Sequence, residues 1–394
     1  MADQHKVCVF VDARMAQKTG IGRCIAGHLG GLCERQFDII AGVGSTADAD
    51  IVTRACKSAE ISPYDAPLYG VRERLVGLGG PADLRDRVHV YWYPQYNVPL
   101  YLPRASVITI HDLIQFRSTS RRQSAVSATS AYLRSLMGQR VLKRAVRQAA
   151  RIVCVSKTTQ EDLENFIPGI TRKTVVIRNG VSDEWASYSQ KAAETVRLMT
   201  ASSPYFLAVG MKKDHKNHSL LLKVIDGISR IGLPHKLVII GKTEMTWTSD
   251  VQQWALGGGC VDRLVDIANV SDAQLAAYYG CASALLMPSF YEGFGLPPLE
   301  AMVAGTPVVC SNRGALPETV GQAAVLLDPS DASAWIATLA RLQSIPEMRD
   351  RLVSAGRAHV RDLTWTSASA DLSAVLHEVA TEHGRKVQQH LNFM

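Results

Sequence analysis

The 394-residue chain is longer than one hydrophobic core usually supports, so two domains are expected. With 47% hydrophobic and 20% charged residues and a mean hydropathy of +0.01, its composition is that of an ordinary globular protein, which excludes a disordered, collagenous or coiled-coil chain. No run reaches the ~18 uninterrupted apolar residues of a membrane span, and the net charge of +7 is concentrated in one window described below.

The opening stretch MADQHKVCVFVDAR turns polar before a secretory core could form. The eight cysteines are scattered without a C-x-x-C pair. A cytoplasmic protein with reduced, packed thiols and no zinc site is therefore expected.

Short apolar runs rich in β-branched residues recur between helical patterns. In the first half they occupy residues 7–11, 37–41, 88–93, 107–110, 152–155 and 175–177. In the second half they occupy 205–209, 237–240, 264–267, 285–287, 308–310 and 325–327. Strand alternating with helix predicts α/β architecture, with parallel sheets covered on both faces. The polar stretch 182–203, of weak periodicity, separates the two series and marks the boundary between domains 1–181 and 182–365. Two doubly wound domains would take a ligand in the cleft between them, at the carboxyl ends of the strands.

Two short motifs fall early in the chain. TGIGRCIAG has its glycines at the wrong spacing for a dinucleotide fingerprint and reads as a loop that needs small residues, Gly20 and Gly22, where backbone nears phosphate. Asp48-Ala49-Asp50 matches an Asp-x-Asp metal pattern but sits in a polar stretch, expected to be a loop, and is rejected as a metal site.

From Leu113 to Gln160 there is no acidic residue, while Arg117, Arg121, Arg122, Arg134, Arg140, Lys143, Arg144, Arg147, Arg151 and Lys157 are all basic. Residues 124–150 have helical periodicity, with Met137, Val141, Ala145 and Ala149 on one stripe and Arg140, Arg144, Arg147 and Arg151 on another. Such a face suits anionic lipid headgroups or a phosphate-bearing acceptor. Nucleic acid is disfavoured, because neither interleaved aromatics nor a recognition motif accompanies the charge.

The richest segment is SFYEGFGLPPLEAMVAGTPVVCSNRGALPE, residues 289–318. A strand leads into a glycine-containing loop, Pro297 and Pro298 open a helix, and Gly305 follows its end. The backbone of Gly295 and Leu296 would meet an anion at the helix start. Glu292 and Glu300 could bracket an elongated ligand and accept from sugar or ribose hydroxyls. Cations would come from YFLAVGMKKDHKNH, where a strand ends at Gly210 and Lys212, Lys213 and Lys216 follow.

These segments, with LVIIGK, VSDAQLAAYYGCASALLMPS, VITIHDL, IVCVS and IRNGV, occur in an order that resembles the retaining glycosyltransferases of family four, from about residue 7 to residue 366. The resemblance implies the GT-B fold, two Rossmann-like domains facing across a cleft. In that fold the first domain binds the acceptor and the second the donor, and the C-terminal helix, 366–394, returns to the first. It implies that Glu292 contacts the donor sugar, that the Phe294, Gly295 and Leu296 backbone faces sugar and diphosphate, that Glu300 holds the ribose and that Lys216 holds the diphosphate. Gly20 and Gly22 would close over the phosphates, and His111 would lie beside the reacting sugar. Met211 stands where the family usually has an arginine, and Lys212 or Lys213 would substitute for it.

The expected activity is transfer of a hexose from a nucleotide-diphosphate sugar to a hydroxyl of a lipid-linked or oligosaccharide acceptor, without a metal or other cofactor. GDP-mannose is the favoured donor, with UDP-sugars open, in bacterial surface-polysaccharide assembly at the inner face of the cytoplasmic membrane. Two other readings share these residues: a sugar-nucleotide epimerase or hydrolase of the same fold, and a non-catalytic nucleotide-sugar-binding protein at the membrane.

Overall fold

The computed structural model describes residues 6–17, 19–35, 37–64, 84, 86–116, 125–242 and 245–392, with the backbone alone at 19, 125–135, 245–246 and 385–392. The chain divides into two compact units, one running to Gly180 and resuming at Leu363, the other Val181–Asp362.

In the first unit the order is β1 (Cys8–Asp12), α1 (Thr19–Glu34), β2 (Asp38–Val43), α2 (Thr46–Ala55), β3 (Glu60–Pro63), β4 (Val90–Tyr93) and β5 (Ser106–Ile110). Then follow α3 (Ala125–Gln148), β6 (Arg151–Cys154), α4 (Lys157–Phe166) and β7 (Thr174–Val176). The strands pair in parallel in the order β3-β2-β1-β4-β5-β6-β7. β1 is buried along its whole length, Val9 and Val11 in one apolar cluster and Phe10 in another, because helices cover both faces of the sheet. That double burial makes such strands read as unbroken apolar runs. β3, sequence EISP, escapes this signal: it is an edge strand, where a charge and a terminal proline are tolerated.

The second unit contains α5 (Gln190–Thr200), β8 (Tyr205–Val209), α6 (His218–Arg230), β9 (Lys236–Ile240), α7 (Met245–Leu256), β10 (Leu264–Ile267) and α8 (Asp272–Cys281). It continues with β11 (Ala284–Met287), α9 (Leu296–Val303), β12 (Val308–Ser311), α10 (Leu316–Val320), β13 (Val325–Leu327), α11 (Ala332–Ser344) and α12 (Pro346–Val360). Its parallel sheet has the order β10-β9-β8-β11-β12-β13. The polar stretch of weak periodicity, 182–203, holds α5, capped by the Ser189 side chain and closed by Ala201 in the left-handed region.

In each sheet the strand order reverses once, between β1 and β4 and between β8 and β11. The carboxyl ends of such neighbours open a crevice, because the connections leave in opposite directions.

The last helix, α13 (Trp365–Asn392), belongs to the first unit and packs on α1. A Cβ on Gly27 would stand 2.1 Å from the Trp365 ring, and one on Gly31 2.4 Å from Ser369, so the α1 glycines are the seat of this helix. α1 also contains Gly20 and Gly22, which the sequence assigns to a loop; they lie in its first turn instead. Gly22 is required there by packing, since its Cβ would meet the Ala16 carbonyl oxygen at 2.0 Å, whereas Gly20 faces open space. Asp48 likewise lies in a helix rather than a loop. Within α2 its carboxylate accepts from the Ser45 hydroxyl at 2.6 Å.

Candidate active site

The two strands that flank the reversal in the second sheet deliver the two charged residues singled out from the sequence. β8 runs into Gly210, whose φ of 136° lies in the region that favours glycine. Lys216 ends the short 3-10 turn Asp214–Lys216, and its side chain passes over Gly210, with Cε 3.5 Å from where a Cβ would stand. Its ammonium meets Glu292 Oε1 at 2.6 Å. Glu292 follows β11, and the pair is partly open to solvent, 16% and 12% exposed.

Backbone contacts fix both partners. The Phe290 amide donates to the His215 carbonyl at 2.8 Å, which sews the β8 turn to the β11 loop. Asn217, left-handed at φ 53°, caps α6 and donates its side-chain amide to the carbonyls of Pro288 and Pro329 at 3.2 and 2.7 Å. The Glu292 carbonyl accepts from the Ala315 amide at 3.0 Å. A Cβ on Gly314 would fall within 2.9 Å of the Glu292 backbone, so this approach needs glycine.

Gly295 is the N-cap of α9 with φ 111°, and Pro297 and Pro298 occupy its first turn. The Phe294 carbonyl accepts from the Thr319 hydroxyl at 2.7 Å, and the Phe294 side chain is buried. Glu300 is 1% exposed and accepts from the buried Tyr279 hydroxyl at 2.7 Å. The structure thus brings Lys216 and Glu292 together and sets Glu300 of α9 in a buried contact with Tyr279 of α8.

The three lysines separate. The Lys212 ammonium is buried, paired with Asp266 on β10, and donates to the Gly241 carbonyl at 2.7 Å. Asp266 also accepts from Trp247 Nε1 at 2.7 Å. Lys212, expected to substitute for the arginine missing at Met211, is therefore committed to the end of the sheet. Lys213 is half-buried and has partners of its own. His215 is held neutral, its pKa lowered to about 4 by burial first and then by Lys216, against the pull of Glu292. His218, buried against Trp247, falls to about 3 for the same reasons, and its Nδ1 has no partner.

In the first unit His111 follows β5. Its Nε2 lies 2.9 Å from the Pro94 carbonyl, which can only accept, so Nε2 carries the proton and Nδ1 is the acceptor of the neutral ring. Burial lowers its pKa. Its sequence neighbour Asp112 accepts from the Ile114 amide at 3.0 Å.

The sequence reading overlooked a group at the β1/β4 reversal. The Arg14 guanidinium binds both oxygens of Asp12, at 2.8 and 2.6 Å, and lies 4.0 Å over the Tyr64 ring. Tyr93 Oη at the end of β4, the strand paired with β1, and Gln95 Nε2 just beyond it are buried without a hydrogen-bond partner. Adjacent charges inside an apolar strand end, VFVDAR, were the available signal.

The basic face of α3 is partly spent within the unit. Arg151, expected on the helical stripe, lies instead at the start of β6, because the helix ends at Gln148, and it pairs with Glu378 and Glu382 of α13; Arg144 donates to the Val98 and Pro99 carbonyls at 3.5 and 3.3 Å. Lys143 lies 5.2 Å over the Phe166 ring, and Arg140 and Arg147 are exposed. Met137, expected on the apolar stripe, is 52% exposed. Arg117, Arg121 and Arg122, and the Arg134 side chain, lie outside the described residues.

Among the described residues no cluster of three acidic, histidine or cysteine side chains could hold a metal, and no helix is long and apolar enough to cross a membrane. A shallow cavity of about 900 Å³ beside β13 and α12, bordered by Gln322, Arg351 and His359, includes none of the residues above.

Residues 195–359 match the family model "Glycosyl transferases group 1", and residues 83–185 match "Glycosyltransferase Family 4". The chain is 26% identical over 257 residues to the O-antigen chain mannosyltransferase RfbU of Salmonella typhimurium, 65% of each chain, just under two thirds of the relative's length. It is 27% identical over 291 residues to O-antigen chain mannosyltransferase B of Escherichia coli, 73% of this chain and 74% of the other. It is also 26% identical over 317 residues to a D-inositol 3-phosphate glycosyltransferase of Streptomyces scabiei, 76% of this chain and 69% of that one. The HepE protein of Anabaena, solved with UDP and glucose, superposes with a TM-score of 0.70 over 95% of this chain and all of its own, at 15% identity. That likeness shows the fold, GT-B. With both units matched by their own model and the whole chain following one fold, the protein belongs to the group 1, family 4 glycosyltransferases.

Proposed function

We propose that the chain is a retaining transferase that moves a hexose from a nucleotide-diphosphate sugar to an acceptor hydroxyl. The observation that carries this is the Lys216–Glu292 contact at the β8/β11 reversal, a cation and an acceptor-only carboxylate side by side, with Glu292 three residues before the N-cap of α9. Such a pair matches the two ends of a sugar diphosphate: phosphate oxygens for the ammonium, ring hydroxyls for the carboxylate.

As the glycosidic bond breaks, charge accumulates on the departing diphosphate. Lys216 and the positive end of α9 would stabilise that charge more in the transition state than in the bound donor. Attack comes from the same side of the sugar, with the leaving phosphate helping to take the acceptor's proton, and no metal or other cofactor is called for. The neutral His111 ring, with Nδ1 as acceptor, would stand beside the sugar, and Glu300 would reach the ribose by exchanging Tyr279 for it. Gly20 and Gly22, at the start of α1, would face the phosphates, and Lys213 is left as the second cation of the β8 turn.

The donor is proposed to be GDP-mannose, which the two O-antigen mannosyltransferase relatives support; the UDP and glucose bound to the Anabaena protein support a UDP-sugar instead. The acceptor is proposed to be a lipid-linked or oligosaccharide hydroxyl bound by the first unit at the cytoplasmic face of a membrane, with exposed Arg140 and Arg147 toward anionic headgroups.

A thermal-shift panel of nucleotides and nucleotide sugars tests this. A ligand at 100 times its dissociation constant adds about 2.7 kcal/mol, which is roughly 5–10 °C for a unit of this size. GDP-mannose is expected to give the largest shift. A panel in which no nucleotide sugar moves the midpoint ends the proposal, and a larger shift with UDP-glucose moves it to that donor.

A further inference from the structure

The first unit holds a pair of thiols that the proposed reaction does not use. Cys33 lies in the last turn of α1, and Cys56 is the residue that caps the C-terminus of α2. Both sulfurs touch one hydroxyl: Ser58 Oγ is 3.2 Å from Cys33 Sγ and 3.4 Å from Cys56 Sγ. The two thiols therefore flank the same oxygen.

The members of the pair differ in access. Ser58 is exposed and Cys33 half-buried, while Cys56 is only 2% exposed, so a small reagent reaches Cys33 first and Cys56 stands behind it. They differ in acidity as well. Burial raises the Cys33 thiol, but hydrogen bonds with Cys56 and Ser58 outweigh it and bring the thiol below its ordinary value. Burial and the bond with Cys33 raise Cys56. Elsewhere Cys24, Cys154 and Cys310 are pushed up to about 12 by burial, which makes them inert, and no second cysteine is recorded in contact with Cys260 or Cys281.

We propose that Cys33 and Cys56 are a disulfide-exchange site that reacts with small disulfides such as oxidised glutathione. The Cys33 thiolate attacks the reagent's S–S bond, forms a mixed disulfide and releases one glutathione thiolate. Cys56 then gives up its proton to solvent and attacks Cys33 Sγ, which forms the Cys33–Cys56 bond and releases the second glutathione. Two protein thiols are oxidised and one reagent disulfide is reduced to two thiols, so the exchange runs backwards with excess thiol. The cross-link would tie the end of α1 to the end of α2 and enclose β2, a transient bond of the kind found where glutathione keeps other thiols reduced.

The test treats the full chain with excess oxidised glutathione, alkylates the remaining thiols and maps the peptides by mass. The wild type is expected to yield a Cys33–Cys56 linked peptide that disappears on adding dithiothreitol. Cys56→Ser is expected to stop with glutathione on Cys33, and Cys33→Ser to leave Cys56 alkylated. A wild type with both cysteines alkylated, one that stalls as the Cys33 adduct, or a Cys33→Ser protein that still carries glutathione on Cys56 overturns the proposal. None of these outcomes depends on the transferase reading.

Discussion

Where the strand order reverses, each sheet carries an acid–base pair, Asp12 with Arg14 in the first unit and Glu292 with Lys216 in the second. The first pair is sealed, 0% and 2% exposed, doubly hydrogen-bonded between residues two apart, and roofed by Tyr64. The second makes one contact between residues 76 apart and stays partly open. A sealed bidentate pair has no exchange partner and acts on folding. An open single contact can trade either member for a ligand, so under the proposed function the same fold position would serve stability in one sheet and chemistry in the other.

The comparison breaks first at Asp12. Removing one member of a buried pair strands the other, so Asp12→Ala is expected to lower stability by about 3–5 kcal/mol in urea unfolding. A loss below about 1 kcal/mol would show the guanidinium to be solvated after all. Next, Lys216→Ala and Glu292→Ala should each lower turnover by about 100-fold or more, comparable to losing one transition-state donor, while the unfolding midpoint stays near that of the wild type. Near-normal turnover in both variants removes the second pair from the site.

A third experiment turns on the histidines. His215 and His218 in the second unit, and His28 in the first, have folded pKa values lowered to about 4, 3 and 3, in each case by burial before any charge. Unfolded imidazoles titrate near ~6.5, so protons favour the unfolded chain. The stability contributed by neutral rings is complete above that value and is lost as pH falls toward 4. His218→Phe should flatten this decline by roughly 2 kcal/mol between pH 6.5 and pH 5; an unchanged slope would assign the decline to other groups. The last experiment tests the proposed membrane contact. Arg140→Ala with Arg147→Ala should cost about 2 kcal/mol, roughly 30-fold, in binding to anionic vesicles at low salt, whereas Arg144→Ala should cost almost nothing there. Equal losses would mean that Arg144 leaves its carbonyls.

The strands were legible because burial on both faces leaves apolar runs, and β3 was not, because an edge strand needs no such run. Glu292 and Lys216 were legible through the residues that frame them, Gly-Phe-Gly with a double proline and a lysine-rich strand end. Which of three neighbouring lysines turns inward was not, since the deciding charge, Asp266, lies on β10 some fifty residues on. Arg151 shows the same limit: its acids are on α13, 227 and 231 residues away, so an acid-free window in the chain is not acid-free in space. Gly20 and Gly22 misled because glycine serves loops and close helix packing alike, and only the Ala16 carbonyl beside Gly22 tells them apart.

The ammonium and carboxylate that hold one another at 2.6 Å leave the proposed donor position with little net charge. In the proposed reaction a lone inorganic anion would have to part them and abandon Glu292, while a molecule offering phosphate and hydroxyls together compensates both. After transfer the sugar's hydroxyls are gone. The carboxylate's return to Lys216 then competes with the spent nucleotide, so the contact that admits the donor also helps to eject what remains of it.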